Sequence, residues 1–336
     1  MKLLIVCQTI DKNHPILGFF HRWVEEFAQH FEHIHVIALQ EGEHNLPKNV
    51  TVHSLGKENV ASKFKQLSTF YSLLSKLHRE YDAVFVHMNP EYIVLAGWMW
   101  RLTGKKIGLW YNHTIGSFWL RIAQPFTNTV FHTSPFAYTA RYKNALRMPA
   151  GIDTNVFKPH PEVVKIPRSI YFQGRIAPAK NVHILLEACA LLHSEGVVDI
   201  LTLVGPENTE YTDTLRKKYS DLIQSGVVNF KGPIQNNQTP QLYAAHSLSV
   251  NLTADGNYDK TVLESMSCGT PAIVASAAFD DIVDSVYTID SLSVQSLYST
   301  IKSSMELPVD SSDLHGRVMQ KHSLVLLGDT LKECYE

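Results

Sequence analysis

Short apolar or β-branched runs alternate along this chain with longer stretches whose apolar residues recur at helical spacing. Residues 3–7 read as a strand. Residues 18–31 place Phe19, Phe20, Trp23, Val24, Phe27 and Phe31 at helical intervals. Strands are predicted over 34–39 and 51–53. A helix follows over 63–80, with Phe64, Leu67, Phe70, Tyr71, Leu74 and Leu77 as its apolar positions. Next come a strand over 83–87, a helix over 92–102, and strands over 106–110 and 129–132. This rhythm fits a parallel sheet covered on both faces, whose strands are apolar throughout because neither side meets water.

Near Met148 the texture changes. P-A-G-I-D-T-N-V-F-K-P-H-P-E-V-V-K-I-P carries four prolines and reads as a linker. The rhythm then restarts, with strands over 169–173, 199–204, 227–231, 248–252 and 272–275. Helices are predicted over 182–193, 211–224, 240–245 and 261–267. The pattern predicts an α/β chain of two tandem Rossmann-like domains, 1–150 and 165–315, hinged near 150–165. A helical segment over 316–336 lies beyond the second sheet and is expected to complete the first domain. The 336 residues suit two domains of ordinary size.

Composition narrows the picture a little. Hydrophobic residues make up 45% and charged residues 18%, an ordinary globular balance. The net charge of -2 supplies no overall basic field for nucleic acid. Cys7, Cys189, Cys268 and Cys334 are far apart and form no C-x-x-C pair, so reduced thiols are expected. The opening M-K-L-L-I-V-C-Q is too short for a signal-peptide core, and the apolar run 92–100 is far below the ~20 residues of a membrane span. The expectation is a cytoplasmic protein, with a peripheral contact at the inner face of the membrane left open.

Candidate chemistry concentrates in the second half. Ligands of open parallel sheets bind at the carboxyl ends of the strands. Q-G-R-I-A-P-A-K puts Gly174 at the end of the 169–173 strand, where glycine lets the backbone turn sharply. Arg175 offers a planar fork suited to phosphate oxygens, and Lys180 a compact charge on a long arm. Together they suit the charge that grows on a departing diphosphate; a solvated basic turn is the plain alternative. A second segment, A-D-G-N-Y-D-K-T-V-L-E-S-M-S-C-G-T-P, opens a helix at Thr261 and ends it at Gly269. Amides of the 256–261 loop (Gly256, Asp259, Lys260 and Thr261 among its residues) are expected to face a phosphate or a sugar hydroxyl. Glu264 is placed to accept two ribose hydroxyls, or else is a surface carboxylate favoured by the helix dipole.

G-R-I-A-P-A-K-N-V-H-I-L-L-E-A, L-V-G-P, the 255–271 segment and P-A-G-I-D-T-N-V-F-K-P together resemble the retaining glycosyltransferases of family 4, which have the GT-B fold. The resemblance covers most of residues 145–275, with the four motifs in the expected order. The first half matches more weakly, through its first strand and L-W-Y-N-H. The resemblance implies an inter-domain cleft, with an acceptor-binding first domain and a donor-binding second. It implies a UDP- or GDP-linked sugar held by Arg175 and Lys180 at the diphosphate and by Glu264 at the ribose. It also implies catalysis with no metal and no resident cofactor. The family often carries a second acidic residue eight positions before this glutamate. Here that position is Gly256, with Asp255 and Asp259 as candidate substitutes.

In the first domain, His113 matches a histidine beside the donor sugar and the reaction centre; a satisfied loop histidine is the alternative. Tyr111 and Asn112 share its loop. Gly18, after H-P-I-L, resembles the flexible loop that approaches the donor phosphates, without the usual double glycine. His87, Asn89 and Glu91 line the acceptor cleft or form a plain loop. His30, His33 and His35 straddle a helix end and a strand start, so they are not expected to converge on a metal. Trp98, Trp100, Phe118 and Trp119 read as core packing, with a lipid-facing rim as the alternative.

The function expected is transfer of a sugar from a nucleotide donor to a glycan, glycolipid or glycoprotein, as in polysaccharide biosynthesis. Two other readings stay open: an inactive sugar-nucleotide-binding protein, and an epimerase or phosphorylase on the same fold.

Overall fold

A computed structural model describes every residue except Pro15 and Asp255. The chain forms two compact units, Met1–Gly151 with Leu324–Glu336, and Ile152–Ser323.

The first unit runs β1 (Lys2–Ile10), α1 (Phe19–His30), β2 (His33–Glu41), β3 (Val50–Ser54), α2 (Lys63–Leu77), β4 (Ala83–His87) and α3 (Glu91–Leu102). It continues through β5 (Lys106–Trp110), α4 (Phe118–Ala123), β6 (Thr129–His132) and β7 (Ala145–Arg147). The sheet order is β3-β2-β1-β4-β5-β6-β7, and every pairing is parallel.

Why residues 3–7 of β1 are all apolar follows from the two-residue period of a strand. Leu3, Ile5 and Cys7 pack with Trp23, Val24 and Phe27 of α1. Leu4 and Val6 face the other way, among Phe70 and Leu74 of α2, Ile93 and Trp100 of α3, and Leu120 of α4. One strand thus feeds two cores, and a polar residue on either face would be buried.

The second unit runs β8 (Ile166–Gln173), α5 (Val182–Ser194), β9 (Ile200–Val204), α6 (Thr209–Lys218), α7 (Ser220–Gln224), β10 (Val228–Gly232) and α8 (Thr239–Ala245). After these come β11 (His246–Asn251), α9 (Lys260–Ser267), β12 (Ala272–Val274), α10 (Val294–Ser304) and α11 (Ser311–His322). Its parallel sheet has the order β10-β9-β8-β11-β12. Strand order reverses between β8 and β11. The loops leaving those two strands diverge there, which makes a crevice at the carboxyl edge.

Several elements depart from the sequence pattern. The helix expected over 211–224 is two, broken at Tyr219 (φ -112°, ψ 28°), whose hydroxyl donates to Glu187 at 2.6 Å. The segment expected as one helix over 316–336 is also two. Extended backbone at Ser323 (φ -62°, ψ 155°) separates α11 from α12 (Leu324–Tyr335). Helix α11 belongs to the second unit and α12 to the first, so the chain returns at Leu324 and not at Gly316. Periodicity continues across such a break because both helices bury apolar faces. Strand β7 and helices α4 and α10 carried no clear pattern; β7 is only three residues, none buried.

Helix α12 is anchored at its last turn. Tyr335 is buried, and its hydroxyl donates to the Val84 carbonyl at 2.8 Å. A side chain at Gly108 on β5 would overlap that hydroxyl. Lys106 Nζ donates to the carbonyls of Tyr335 at 2.5 Å and Glu336 at 3.0 Å. Among the described residues no helix is long and apolar enough to cross a membrane.

The histidines fall out differently from their sequence neighbourhood. His30 lies against Glu26, at 3.1 Å. The rings of His33 and His35 are 4.6 Å apart on one sheet face, and the third member there is His53 of β3. His35 Nδ1 and His53 Nε2 are 3.2 Å apart, so one ring must donate and the other accept. Among the described residues no three histidines, cysteines or carboxylates are grouped to hold a metal. Burial, then repulsion from His33 and His53, pushes His35 down to about 4; burial also lowers His53.

Two measurements follow from these packings. Tyr335→Ala is expected to lower the unfolding free energy by about 3–5 kcal/mol in denaturant titration, from the cavity and the lost hydrogen bond. The folded state favours neutral His35, so this contribution is whole above the unfolded value near 6.5 and is lost as pH falls from there towards about 4. Urea titrations across that range should show stability falling in the wild type and a shallower fall in His35→Gln.

Candidate functional site

The site in the second unit starts from two glycines. Gly174 ends β8 at φ 154° and Gly205 ends β9 at φ 140°. A side chain on Gly205 would overlap the Gly174 carbonyl oxygen, so the two loops touch backbone to backbone. The Gly174 amide donates to Val204 O at 3.0 Å, and the Ile176 amide to Pro206 O at 2.8 Å. Between these two bonds Arg175 projects outward. It is exposed and, among the described residues, makes no hydrogen bond or ion pair.

Beyond it a short turn, Pro178–Lys180, leads to Asn181 at φ 52°. Asn181 Nδ2 donates to Leu252 O at 2.9 Å, which ties the β8 loop to the β11 loop. Lys180 Nζ makes the second tie, to Asp259 Oδ2 at 2.5 Å and Thr253 Oγ1 at 2.8 Å. Asp259 also accepts from Thr253 Oγ1 at 2.5 Å and Asn251 Nδ2 at 3.0 Å. Asn251 Nδ2 donates as well to Thr261 Oγ1 at 3.1 Å, and its Oδ1 accepts the Thr253 amide at 3.1 Å. Burial alone would raise the Asp259 carboxyl. Lys180 and the two donors outweigh it and hold the group below its ordinary value.

Helix α9 begins after Asp259, which does not cap it because its carboxylate is turned to Lys180. The Gly256 amide, expected to be offered to a ligand, instead donates to Ser276 Oγ at 3.1 Å, and Ser276 Oγ donates to Asn257 O at 2.9 Å. Gly256 sits at φ 86°, in the left-handed region that disfavours an acidic side chain. That backbone accounts for the missing carboxylate at this position. Asp255 lies outside the described residues.

Glu264 is buried on α9, not a surface carboxylate, and its Oε2 accepts from Tyr243 OH at 3.3 Å. Lys260 lies one turn before it. Burial raises Glu264 and lowers Lys260, and each partly offsets the other. Tyr243 is itself fixed edge-on to Tyr171, ring centroids 4.9 Å apart. Gln173, Tyr243, Asn251 and Thr261 line a small crevice beside this carboxylate. Asn251, Thr253, Asn181 and Tyr243 were not singled out from sequence. The only signal was a polar N-L-T run closing an apolar strand.

The remaining candidates lie in the first unit. Gly18 precedes α1 with ordinary helical backbone (φ -57°, ψ -28°). Its glycine is required by space: a side chain would come 2.8 Å from His14 O. Pro15, in the same loop, is outside the described residues. His113 is exposed, its ring 5.4 Å from that of Tyr111, and its imidazole makes no hydrogen bond among the described residues. Asn112 is structural, since its Oδ1 accepts the amides of Thr133 and Ser134 at 2.9 and 3.0 Å. Tyr111 OH donates to Ile115 O at 3.0 Å. His87 is buried against Phe20, ring centroids 4.4 Å apart, so it belongs to the aromatic core. Asn89 Nδ2 donates to His87 O at 3.1 Å, while Glu91 is exposed on the first turn of α3. Of the four aromatics expected in the core, only Trp100 is buried, donating to Tyr81 OH at 2.9 Å; Trp98, Phe118 and Trp119 are exposed.

Residues 167–305 match the family model of glycosyl transferases group 1, a match that lies wholly within the second unit. The D-inositol 3-phosphate glycosyltransferase of Mycolicibacterium smegmatis is 30% identical over 135 residues, 37% of this chain and 30% of that protein. The same enzyme of Acidothermus cellulolyticus is 27% identical over 143 residues, 38% and 32% of the two chains. The chain therefore matches about a third of the length of these relatives. Among solved structures, Anabaena HepE in complex with UDP superposes with TM-score 0.79 over 99% of both chains at 18% identity. Sucrose-phosphate synthase from Thermosynechococcus elongatus does so with TM-score 0.74 over 100% and 98%, at 16% identity. The fold is thus of the GT-B class, two tandem Rossmann-like domains. Its second unit is similar in sequence to group 1 glycosyl transferases.

Removing Asp259 would leave Lys180 half-buried without its counter-charge. Asp259→Ala is expected to lower the unfolding free energy by about 1–3 kcal/mol at neutral pH, read by urea titration.

Proposed function

We propose that this protein is a retaining glycosyltransferase of family 4 that moves a sugar from a UDP- or GDP-linked donor to a glycan, glycolipid or glycoprotein. One observation carries the reading. An exposed guanidinium that has no partner among the described residues, Arg175, stands on a rigid glycine junction at the point where strand order reverses. Lys180 and the uncapped start of α9 frame the same edge of the sheet. The group 1 match over 167–305 and the UDP and UDP-glucose complexes of HepE support it.

In this reading the donor diphosphate pairs with Arg175 and takes a share of Lys180 from Asp259. Their charge stabilises the leaving group, so the mechanism calls on no metal and no resident cofactor. Asp259 takes the part of orienting Lys180, which the family's missing acid at position 256 does not supply. Glu264 accepts the two ribose hydroxyls beside Tyr243, whose hydroxyl already occupies one acceptor site. Gly256, Lys260 and Thr261 shape the sugar side of the pocket. The first unit takes the acceptor, with His113 and the Gly18 loop as its candidate contacts to the substrates. The acceptor hydroxyl attacks from the face the diphosphate leaves, and a departing phosphate oxygen takes its proton. The free cysteines suit the cytoplasm.

A second reading, an inactive sugar-nucleotide binder, is favoured by Gly256 alone. A panel of sugar nucleotides separates the two, because a binder retains affinity without turnover. For the transferase, Arg175→Ala and Lys180→Ala should each lower kcat by about 10²-fold or more with an unchanged circular dichroism spectrum. Glu264→Ala should chiefly weaken UDP or GDP binding in calorimetry. Wild-type turnover in both cation variants would exclude the diphosphate site.

A further inference from the structure

Tyr258 and His322 form a buried polar pair outside the chemistry proposed so far. Tyr258 is 8% exposed and His322 4%. The Tyr258 hydroxyl and His322 Nε2 are 2.9 Å apart, and the two residues are 64 positions apart in sequence. The Tyr258 ring stacks on Phe279, with centroids 4.4 Å apart and planes at 24°. A buried hydrogen-bonded pair gives up hydration on both sides, and an apolar pair of the same shape is often as stable. What the bond adds is direction, because it fixes how the two backbones stand relative to one another.

Each backbone leads somewhere. Tyr258 precedes Asp259, whose carboxylate holds Lys180 Nζ. Two residues earlier, the Gly256 amide donates to Ser276 Oγ at 3.1 Å, and Ser276 opens the short turn that ends at Phe279. Loop and turn therefore brace one another. His322 is the last residue of α11 and stands where the chain passes between its two units. Its carbonyl accepts the Ile152 amide at 2.8 Å, and Ile152 pairs with Ser323 in a parallel bridge. Ile152 follows the first passage and Ser323 precedes the second. Within the first unit, Trp23 Nε1 donates to Gly151 O at 3.0 Å, and a side chain on Gly151 (φ 67°) would overlap Trp23 and Leu327 of α12. The backbone is thus held within each unit right up to the passages, and Tyr258 attaches the candidate donor loop to that held point.

We propose that Tyr258 and His322 are positioning residues for sugar transfer. Their hydrogen bond sets the 256–259 loop, and through Asp259 the Lys180 ammonium, from the point where the chain passes between units. The catalytic part rests on the transferase reading; the link from loop to passage does not. An ammonium misplaced by about 1 Å loses charge stabilisation that the departing diphosphate needs, so the loss falls on kcat. Ground-state hold on the donor is shared with Arg175 and Glu264 and changes less.

Tyr258→Phe keeps the ring on Phe279 and removes only the hydroxyl. In steady-state assays with a donor that the wild type turns over, it should lower kcat by about tenfold, with KM for the donor within about threefold of wild type. Hydrogen exchange read by mass spectrometry should speed up by about tenfold in peptides covering 256–260 and also in those covering 150–154, with β4 unchanged. Tyr258→Phe with His322→Leu makes the pair apolar, and this double variant should melt closer to wild type than Tyr258→Phe alone yet stay as slow. His322→Gln, which keeps a hydrogen-bonding side chain, should recover kcat relative to His322→Leu. Wild-type kcat in Tyr258→Phe or in the double variant would overturn the proposal, as would faster exchange confined to 256–260. If the wild type turns over no sugar nucleotide, the transferase reading and the catalytic role fall together, while faster exchange in both segments would uphold the link.

Discussion

The ion pair between Lys180 and Asp259 holds the second unit's site together. Strand order reverses between β8 and β11, so the loops leaving them diverge and have no shared ladder. Lys180 crosses that gap to Asp259, and Asn181 crosses it to the Leu252 carbonyl. The carboxylate has three donors (Lys180, Thr253 and Asn251), which hold its pKa below the ordinary value although burial acts to raise it. A charge pair here is less a source of net stability than a device for placing an ammonium where strand geometry would not put one.

The charged groups of the edge are unequally satisfied. Lys180 has a carboxylate and a hydroxyl, and Glu264 and Lys260 temper one another in a buried turn of α9. Arg175 has no protein partner among the described residues, and the glycine contact behind it leaves its backbone little room to retreat. An unpaired guanidinium on rigid backbone is prepared for an anion at small ordering cost. Gly256 shows the converse: its left-handed backbone and its bond to Ser276 close a position where a carboxylate was expected.

The first unit uses the same sheet plan for other ends. The two faces of β1 are equally apolar, yet the helices they bury differ outside. One layer ends in paired acids and bases, the other in bare aromatics and cations. Core packing does not ask for that difference, since Trp100 alone of its aromatic group is needed inside.

The sequence by itself determined most of the architecture. Apolar runs long enough for strands, set between helical spacings, forced parallel sheets covered on both faces, and strands 83–87, 106–110 and 129–132 came out at their observed limits. Arg175, Lys180 and Glu264 stood out in the sequence as candidates because they lie beyond strand ends, where parallel sheets bind ligands. Tertiary structure decided what local pattern does not encode. It broke 316–336 at Ser323 and sent the two halves to different units, because amphipathic spacing is blind to which core receives it. It paired His35 with His53 in place of His30, because register across strands and not nearness in sequence sets neighbours. It turned Asp259 to Lys180 and buried Glu264, since side-chain partners depend on the meeting of loops that are some eighty residues apart along the chain.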